Sequence, residues 1–246
     1  MSYKNKPQMI LFDVGGTLFR DSDFSIRDGL SALRLKAKNP EVTDDDTLLK
    51  LWNEYLDEVG SDLRSVSGIK LDIPLSAILK YITMNAGLEF DMTTYELEEY
   101  FDRCNSQREL LDNLESLLKT INSLGIRTAV ISNNAMSGES LELAVDYWIP
   151  ENKMEFCLTS ADLLFTKPHK SLFVAAANYA HVDIENCWYC GDGRIPDVDG
   201  AKNAGMYPVL IDVKSDIPLE WRTDGGRGEY MTVNNWCELE KYLLSL

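Results

Sequence analysis

The chain has 246 residues, an ordinary hydrophobic fraction of 45% and a formal charge of −16 at neutral pH. That length suits one large domain or two modest ones, and no apolar run approaches the roughly 20 residues that span a bilayer. The acidity argues against nucleic acid and anionic membranes as partners, because both need clustered Lys and Arg to neutralise phosphate. An anionic substrate would need a local positive centre, a lysine or a metal ion, against this mean field. Five cysteines (Cys104, Cys157, Cys187, Cys190, Cys237) make an odd set. The short run Met9 to Phe12 has no small-residue cleavage site after it, so reduced thiols and a soluble cytoplasmic protein are expected.

In chain order, Gln8-Met9-Ile10-Leu11-Phe12 predicts a buried strand stopped by Asp13 and Gly15-Gly16. From about 21 to 109 the spacing turns helical, as at Thr47 to Leu56, Leu75 to Asn85 and Thr94 to Cys104. Thr43-Asp44-Asp45-Asp46 reads as an N-cap with acids in the first turn, which the helix dipole favours, and not as a metal site. An amphipathic helix is expected from Glu109 to Leu124, ending at Gly125. The strand Thr128 to Ile131 then stops at Ser132-Asn133-Asn134. Helix Gly138 to Val145, strand Glu155 to Leu158 and helix Ser171 to Ala180 follow. Strand Cys187 to Cys190 stops at Gly191-Asp192; a helix near Val198 to Asn203, strand Pro208 to Ile211 and helix Cys237 to Leu244 complete the chain. Thr223 to Gly228 reads as a surface loop, without the strand or the Lys-Ser/Thr of a phosphate cradle. Cys187 and Cys190 have redox or zinc spacing, but side chains three apart in a strand point to opposite faces.

Strands alternating with helices predict βαβ units and a parallel sheet, with ligands bound beyond the carboxyl ends of its strands. Three predicted strands end in a polar residue beside small ones: Asp13, Ser132 and Asp192. One rim would therefore gather three groups far apart in sequence.

The motifs at these strand ends resemble those of the haloacid-dehalogenase superfamily. Ile10-Leu11-Phe12-Asp13-Val14-Gly15-Gly16-Thr17-Leu18 is similar to the first motif and Val130-Ile131-Ser132-Asn133-Asn134 to the second. Lys167-Pro168 is similar to the third, and Tyr189-Cys190-Gly191-Asp192 with Asp197 and Gly200 to Met206 to the fourth. The resemblance implies an α/β fold: a Rossmann-like parallel-sheet core of residues 1–20 and 110–246, with an α-helical cap at 21–109. It also implies a Mg²⁺-dependent phosphatase of a small phosphorylated metabolite, working through an aspartyl-phosphate. Asp13 would be the nucleophile, with Ser132 and Lys167 stabilising the transferred group. Gly16, Ser132, Asn133 and Lys167 would surround the substrate. Asp13, the Gly15 carbonyl, Asp192 and Asp197 would hold the metal.

The departure is at Gly15, where the family's phosphatases usually carry a second Asp that protonates the leaving group and activates water. Losing a positioned acid–base typically costs about 10²- to 10⁴-fold in rate. A dehalogenase, a phosphonate-cleaving relative or a catalytically weak binding protein therefore stays open. Lys36, Lys38 and Lys50 are the lysines that the phosphonate chemistry would draw on, and Asp21 and Asp23 are candidates for the missing acid. Arg27, Arg34 and Arg64 are candidates for a second anionic group on the substrate, with solvated surface as the blander alternative. His169 is expected to begin a helix as an exposed residue, and neither it nor His181 belongs to a Ser-His-Asp set. The oligomeric state has no signature in the sequence.

Overall fold

The computed structural model describes residues 5–65, 72–223 and 228–246, with backbone alone at 60–65. Strand β1 (Met9–Phe12) is fully buried, which is why it is continuously apolar rather than alternating. It is an inner strand of a seven-stranded sheet, between β4 (Arg127–Ser132) and β6 (Cys187–Gly191). Phe12 lies opposite Val130 on one side and Cys190 on the other. β5 (Met154–Thr159) extends the sheet beyond β4, and β7 (Tyr207–Ile211) beyond β6. A β9 (Glu229–Val233) and β8 (Leu219–Thr223) pair then closes the edge, and β8 alone runs antiparallel.

The pleat sorts side chains to two apolar layers. Ile10, Phe12, Trp188 and Cys190 face α5 (Leu114–Ser123) and α10 (Trp236–Leu244), meeting Leu117, Ile121, Trp236 and Leu239. Met9, Leu11, Cys187 and Tyr189 face α8 (Lys170–Tyr179), meeting Leu172, Phe173 and Ala176. The two cysteines of Cys187-Trp188-Tyr189-Cys190 thus lie on opposite faces as free thiols, and burial pushes the Cys187 thiol up to about 11. Remaining helices on this framework are α6 (Gly138–Trp148), α7 (Ser160–Leu163) and α9 (Gly200–Ala204), the last preceded by a wide turn over Arg194–Asp199.

Residues after β1 leave the sheet through an antiparallel ribbon, β2 (Phe19–Ser22) with β3 (Gln107–Leu110). The helix expected from Glu109 therefore starts only at Leu114. Gln107 to Leu110 are drawn into the ribbon, and Asn113 sits at φ 65, in the left-handed region that interrupts a helix. Between the two ribbon strands run α1 (Ile26–Lys36), α2 (Asp45–Ser65), α3 (Leu75–Ala86) and α4 (Thr94–Asn105). Thr93 and Glu96 form a reciprocal cap on α4, and Asp44 accepts from the Thr47 N–H at the start of α2. The four helices share an apolar centre that includes Leu33, Ile78 and Phe101, with Trp52 stacked on Phe101 at 5.3 Å. Fully buried side chains of this size contribute about 1.5–3 kcal/mol each.

Among the described residues, the attachments of this helical layer to the sheet include two larger ones. At the ribbon, Arg108 (6% exposed) reaches Asp102 at 2.5 and 2.9 Å and Asp21 at 2.8 Å. Burial raises the Asp102 carboxyl above its ordinary value, opposed by the Arg108 charge. Beyond β4, Met136 and Ala144 join the layer's own apolar centre, and Leu75 donates its N–H to Ala135 O at 2.7 Å. Glu98 of α4, fully buried, accepts from the Ser137 N–H and hydroxyl and from the Ser140 hydroxyl at the start of α6. A helix N-terminus favours negative charge there. No helix of the described residues is long and apolar enough to cross a membrane.

Candidate active site

Parallel register sets the ends of β4, β1 and β6 side by side, so Ser132, Asp13 and Asp192 emerge on one rim, as expected. Pairing runs one residue past β1, where the Asp13 N–H donates to Cys190 O at 2.8 Å. The carboxylates of Asp13, Asp192 and Asp197 each place an oxygen within 4.8 Å of the others. Lys167, whose side chain is 2% exposed, ties two of them: its ammonium is 2.8 Å from Asp13 Oδ1 and 2.6 Å from Asp197 Oδ1. Asp192 is the exposed member of the trio. Burial raises the Asp192 carboxyl, and the Asp13 and Asp197 charges add to it. Burial also raises Asp197, against the pull of Lys167.

Backbone geometry holds this cluster together. Gly16 has φ +68, and a Cβ there would lie 2.2 Å from Asp192 Oδ2, so only glycine brings this loop so close. A Cβ on Gly191 would meet Asp197 Cγ at 2.4 Å. Asp197 Oδ2 accepts from the Gly193 N–H at 2.7 Å. Gly15 is different: it is exposed, outside the left-handed region, and a Cβ there would meet nothing within 4 Å.

Ser132 is buried at the end of β4. The Asn133 side chain is committed to Lys167, accepting from its N–H at 2.7 Å and donating to its carbonyl at 3.2 Å. An amide carries two N–H donors, of which this pairing uses one. Asp21 is likewise committed, to Arg108, and Asp23 is an exposed turn residue at φ 52. His169 caps α8 through Nδ1 and is exposed, as expected.

Reading the sequence missed Tyr189. Its hydroxyl lies 2.8 Å from Lys167 Nζ and 2.8 Å from Ile131 O. A fully buried tyrosine needs a partner for its hydroxyl, and one placed three residues before Asp192 was the available signal.

A sequence profile of haloacid dehalogenase-like hydrolases matches residues 7–205. The chain belongs to this family. Among solved structures, it is similar to a 2-haloacid dehalogenase from Pseudomonas syringae pv. Tomato DC3000, at 23% identity and TM-score 0.58, covering 97% of this chain and 99% of that one. It is similar also to a HAD phosphatase from Thermococcus onnurineus, at 17% identity and TM-score 0.55, covering 96% and 97%. A HAD-superfamily hydrolase from Ehrlichia chaffeensis, at 20% identity and TM-score 0.53, covers 98% of each chain. At these identities the likeness establishes the fold. Among curated proteins, none matches the sequence.

For a haloacid dehalogenase-like hydrolase, the donor set is chemically apt for a hard divalent cation: three carboxylates against one ammonium leave excess negative charge. Both Asp197 oxygens already accept hydrogen bonds, which suits it to an indirect role beside Asp13 and Asp192. The lysines considered for phosphonate chemistry, Lys36, Lys38 and Lys50, are not desolvated. Lys36 is exposed, Lys38 is about half exposed beside Asp91, and Lys50 is mostly exposed beside Glu54. Arg27 and Arg34 pair with Asp46 and Asp45 at 2.6 Å, bracing α1 on α2. The Arg64 side chain and residues 224–227 of the loop expected at Thr223 to Gly228 lie outside the described residues.

Proposed function

We propose that this haloacid dehalogenase-like hydrolase is a Mg²⁺-dependent phosphatase of a small phosphorylated metabolite, with the helices at 21–109 as a cap over its site. The observation that carries the proposal is the excess of carboxylate: Asp13, Asp192 and Asp197 surround the single ammonium of Lys167. Displacing halide from carbon would demand no such cluster, whereas a dianionic phosphoryl group beside a carboxylate nucleophile demands cations. A bound Mg²⁺ would supply charge neutralisation, held by Asp13, Asp192 and the Gly15 carbonyl, with Asp197 nearby.

Asp13 attacks phosphorus through one carboxylate oxygen. A phosphorus–oxygen bond forms, the bond to the leaving oxygen breaks, and that oxygen takes a proton from water. Lys167 holds Asp13 in place and offsets charge on the transferred oxygens, while Ser132 and the backbone N–H at 133 donate to them. Water then attacks the aspartyl-phosphate, releasing phosphate and restoring the carboxylate. Gly15 offers no side chain for either proton transfer, so substrates whose leaving group needs no proton react best. The exposed or paired state of Lys36, Lys38 and Lys50 speaks against a Schiff-base phosphonate reaction.

The test is phosphate release from a panel of phosphorylated metabolites, with Mg²⁺ or with chelator, comparing wild type with Asp13→Asn. Metal-dependent release abolished in the variant is the expected result. No release across the panel would sink the proposal and favour dehalogenation or a binding role.

A further inference from the structure

We infer that Tyr189 is a positioning residue whose hydroxyl fixes the Lys167 ammonium against Asp13. The inference rests on the phosphatase reading only for why the lysine must be placed. The placement itself follows from hydrogen-bond counting in a dry site. An ammonium has three N–H donors and no acceptor. Lys167 spends them on Asp13 Oδ1 at 2.8 Å, Asp197 Oδ1 at 2.6 Å and Tyr189 OH at 2.8 Å. Its side chain is 2% exposed, so water supplies no fourth partner.

The direction of each bond is settled by the phenol's single proton. Ile131 O at 2.8 Å is the better acceptor for it, since Asp197 Oδ1 lies at 3.3 Å. The oxygen's lone pairs are then left to the ammonium. Two carboxylates alone would define a line about which the ammonium can turn; the phenol supplies the third point. Ile131 directly precedes Ser132, so one hydroxyl ties the lysine to the strand end that carries the predicted phosphoryl donor. The ring is itself held, edge-on to Phe173 at 4.9 Å.

Tyr189→Phe retains the ring and its packing but leaves one ammonium N–H and the Ile131 carbonyl unpaired, a costly state without water. The expected kinetic effect is a fall in kcat of about 10- to 100-fold with KM within about twofold, the pattern of a group acting on the transition state. A merely structural tyrosine would lower thermal stability without that split.

The decisive experiment is lysine-ammonium NMR on the full chain, uniformly ¹⁵N-labelled, with Lys167→Met to assign the signal. In wild type, a slowly exchanging Lys167 NH₃⁺ resonance with an NOE to the Tyr189 hydroxyl proton is expected. In Tyr189→Phe that resonance broadens or vanishes. Absence of the NOE in wild type, an unchanged resonance in Tyr189→Phe, or an unchanged kcat would each overturn the inference. If wild type hydrolyses no phosphate ester, the phosphatase proposal fails while the resonance still decides the positioning. If Tyr189→Phe does not fold, the wild-type NOE decides it alone.

Discussion

Gly15→Asp is the substitution that interrogates the chemistry most directly. A side chain at this position is free to enter: the position is exposed, its φ lies outside the left-handed region, and a Cβ meets nothing within 4 Å. The contrast is Gly16, where a Cβ would run into the Asp192 carboxylate at 2.2 Å. Replacing a glycine whose conformation other residues accept costs nothing sterically and tends to stabilise by about 0.4–1 kcal/mol through the unfolded chain. The new carboxylate would join Asp13, Asp192 and Asp197 on one rim, and like charge raises a carboxyl pKa, which suits a general acid. A positioned acid–base is worth about 10²- to 10⁴-fold, equivalent to about 2.7–5.4 kcal/mol of barrier at 1.36 kcal/mol per decade. The assay is steady-state phosphate release with Mg²⁺ from alkyl and aryl phosphates, for wild type, Gly15→Ala and Gly15→Asp. The gain should appear in Gly15→Asp only and be larger on alkyl phosphates, whose leaving oxygen needs a proton. A folded Gly15→Asp enzyme with no gain on alkyl phosphates would refute the reasoning, placing the site's limitation elsewhere than at position 15.

Four further outcomes are expected. Gly191→Ala forces a methyl to within 2.4 Å of Asp197 Cγ from a strand paired on both sides; a loss of about 1–3 kcal/mol in urea unfolding and weaker Mg²⁺ binding by calorimetry should follow. Arg108→Met strands the nearly buried Asp102 and should cost about 3–5 kcal/mol. Adding Asp102→Leu should restore most of that loss, and a double variant no better than the single would count against a charge effect. Glu98→Ala empties the carboxylate site at the start of α6, leaving the Ser137 N–H unanswered, and should lower stability by about 2 kcal/mol or more, with Glu98→Gln less affected. The Asp45 carboxyl is held below its ordinary value, first by the Arg34 hydrogen bond at 2.6 Å. Its contribution is therefore fully present above the unfolded pKa of about 3.9 and lost as pH falls through the lower folded value. Asp45→Asn should flatten that acid limb, and a carbon NMR titration should place the Asp45 midpoint below 3.9.

Legibility in the sequence followed burial. β1, β4, β6 and β7 are buried strands whose apolar runs stand out without alignment, and Asp13, Ser132 and Asp192 mark where three of them stop. The β8–β9 edge was not legible, because Leu219-Glu220-Trp221-Arg222-Thr223 is half exposed and Glu229 opens β9 with a charge. Nor was the β2–β3 ribbon. Arg108 and Glu109 suit a helix locally, and their extended state depends on partners 87 and 89 positions away. At the site, carboxylates and the lysine were visible as residue types at strand ends. Tyr189 was hidden inside an apolar run, and the hydrogen bonds between the Asn133 amide and the Lys167 backbone had no signal in the sequence. Both roles are hydrogen-bond partnerships between residues 22 to 58 positions apart, which no local pattern encodes.

Met136 and Ala144 belong to the segment after β4, yet they complete the apolar centre of the four inserted helices, whose other members come from residues 30–101. Ownership of that centre is therefore divided between two stretches of chain, and neither is whole without the other. Excising the insert would strip solvent protection from Met136 and from one side of α6, at the strand end that bears Ser132. Conversely, the insert expressed by itself would lack the floor against which Ile78 and Phe101 close. Heat or urea should accordingly find one cooperative transition, in which the inserted helices and the sheet end bearing Ser132 are lost together.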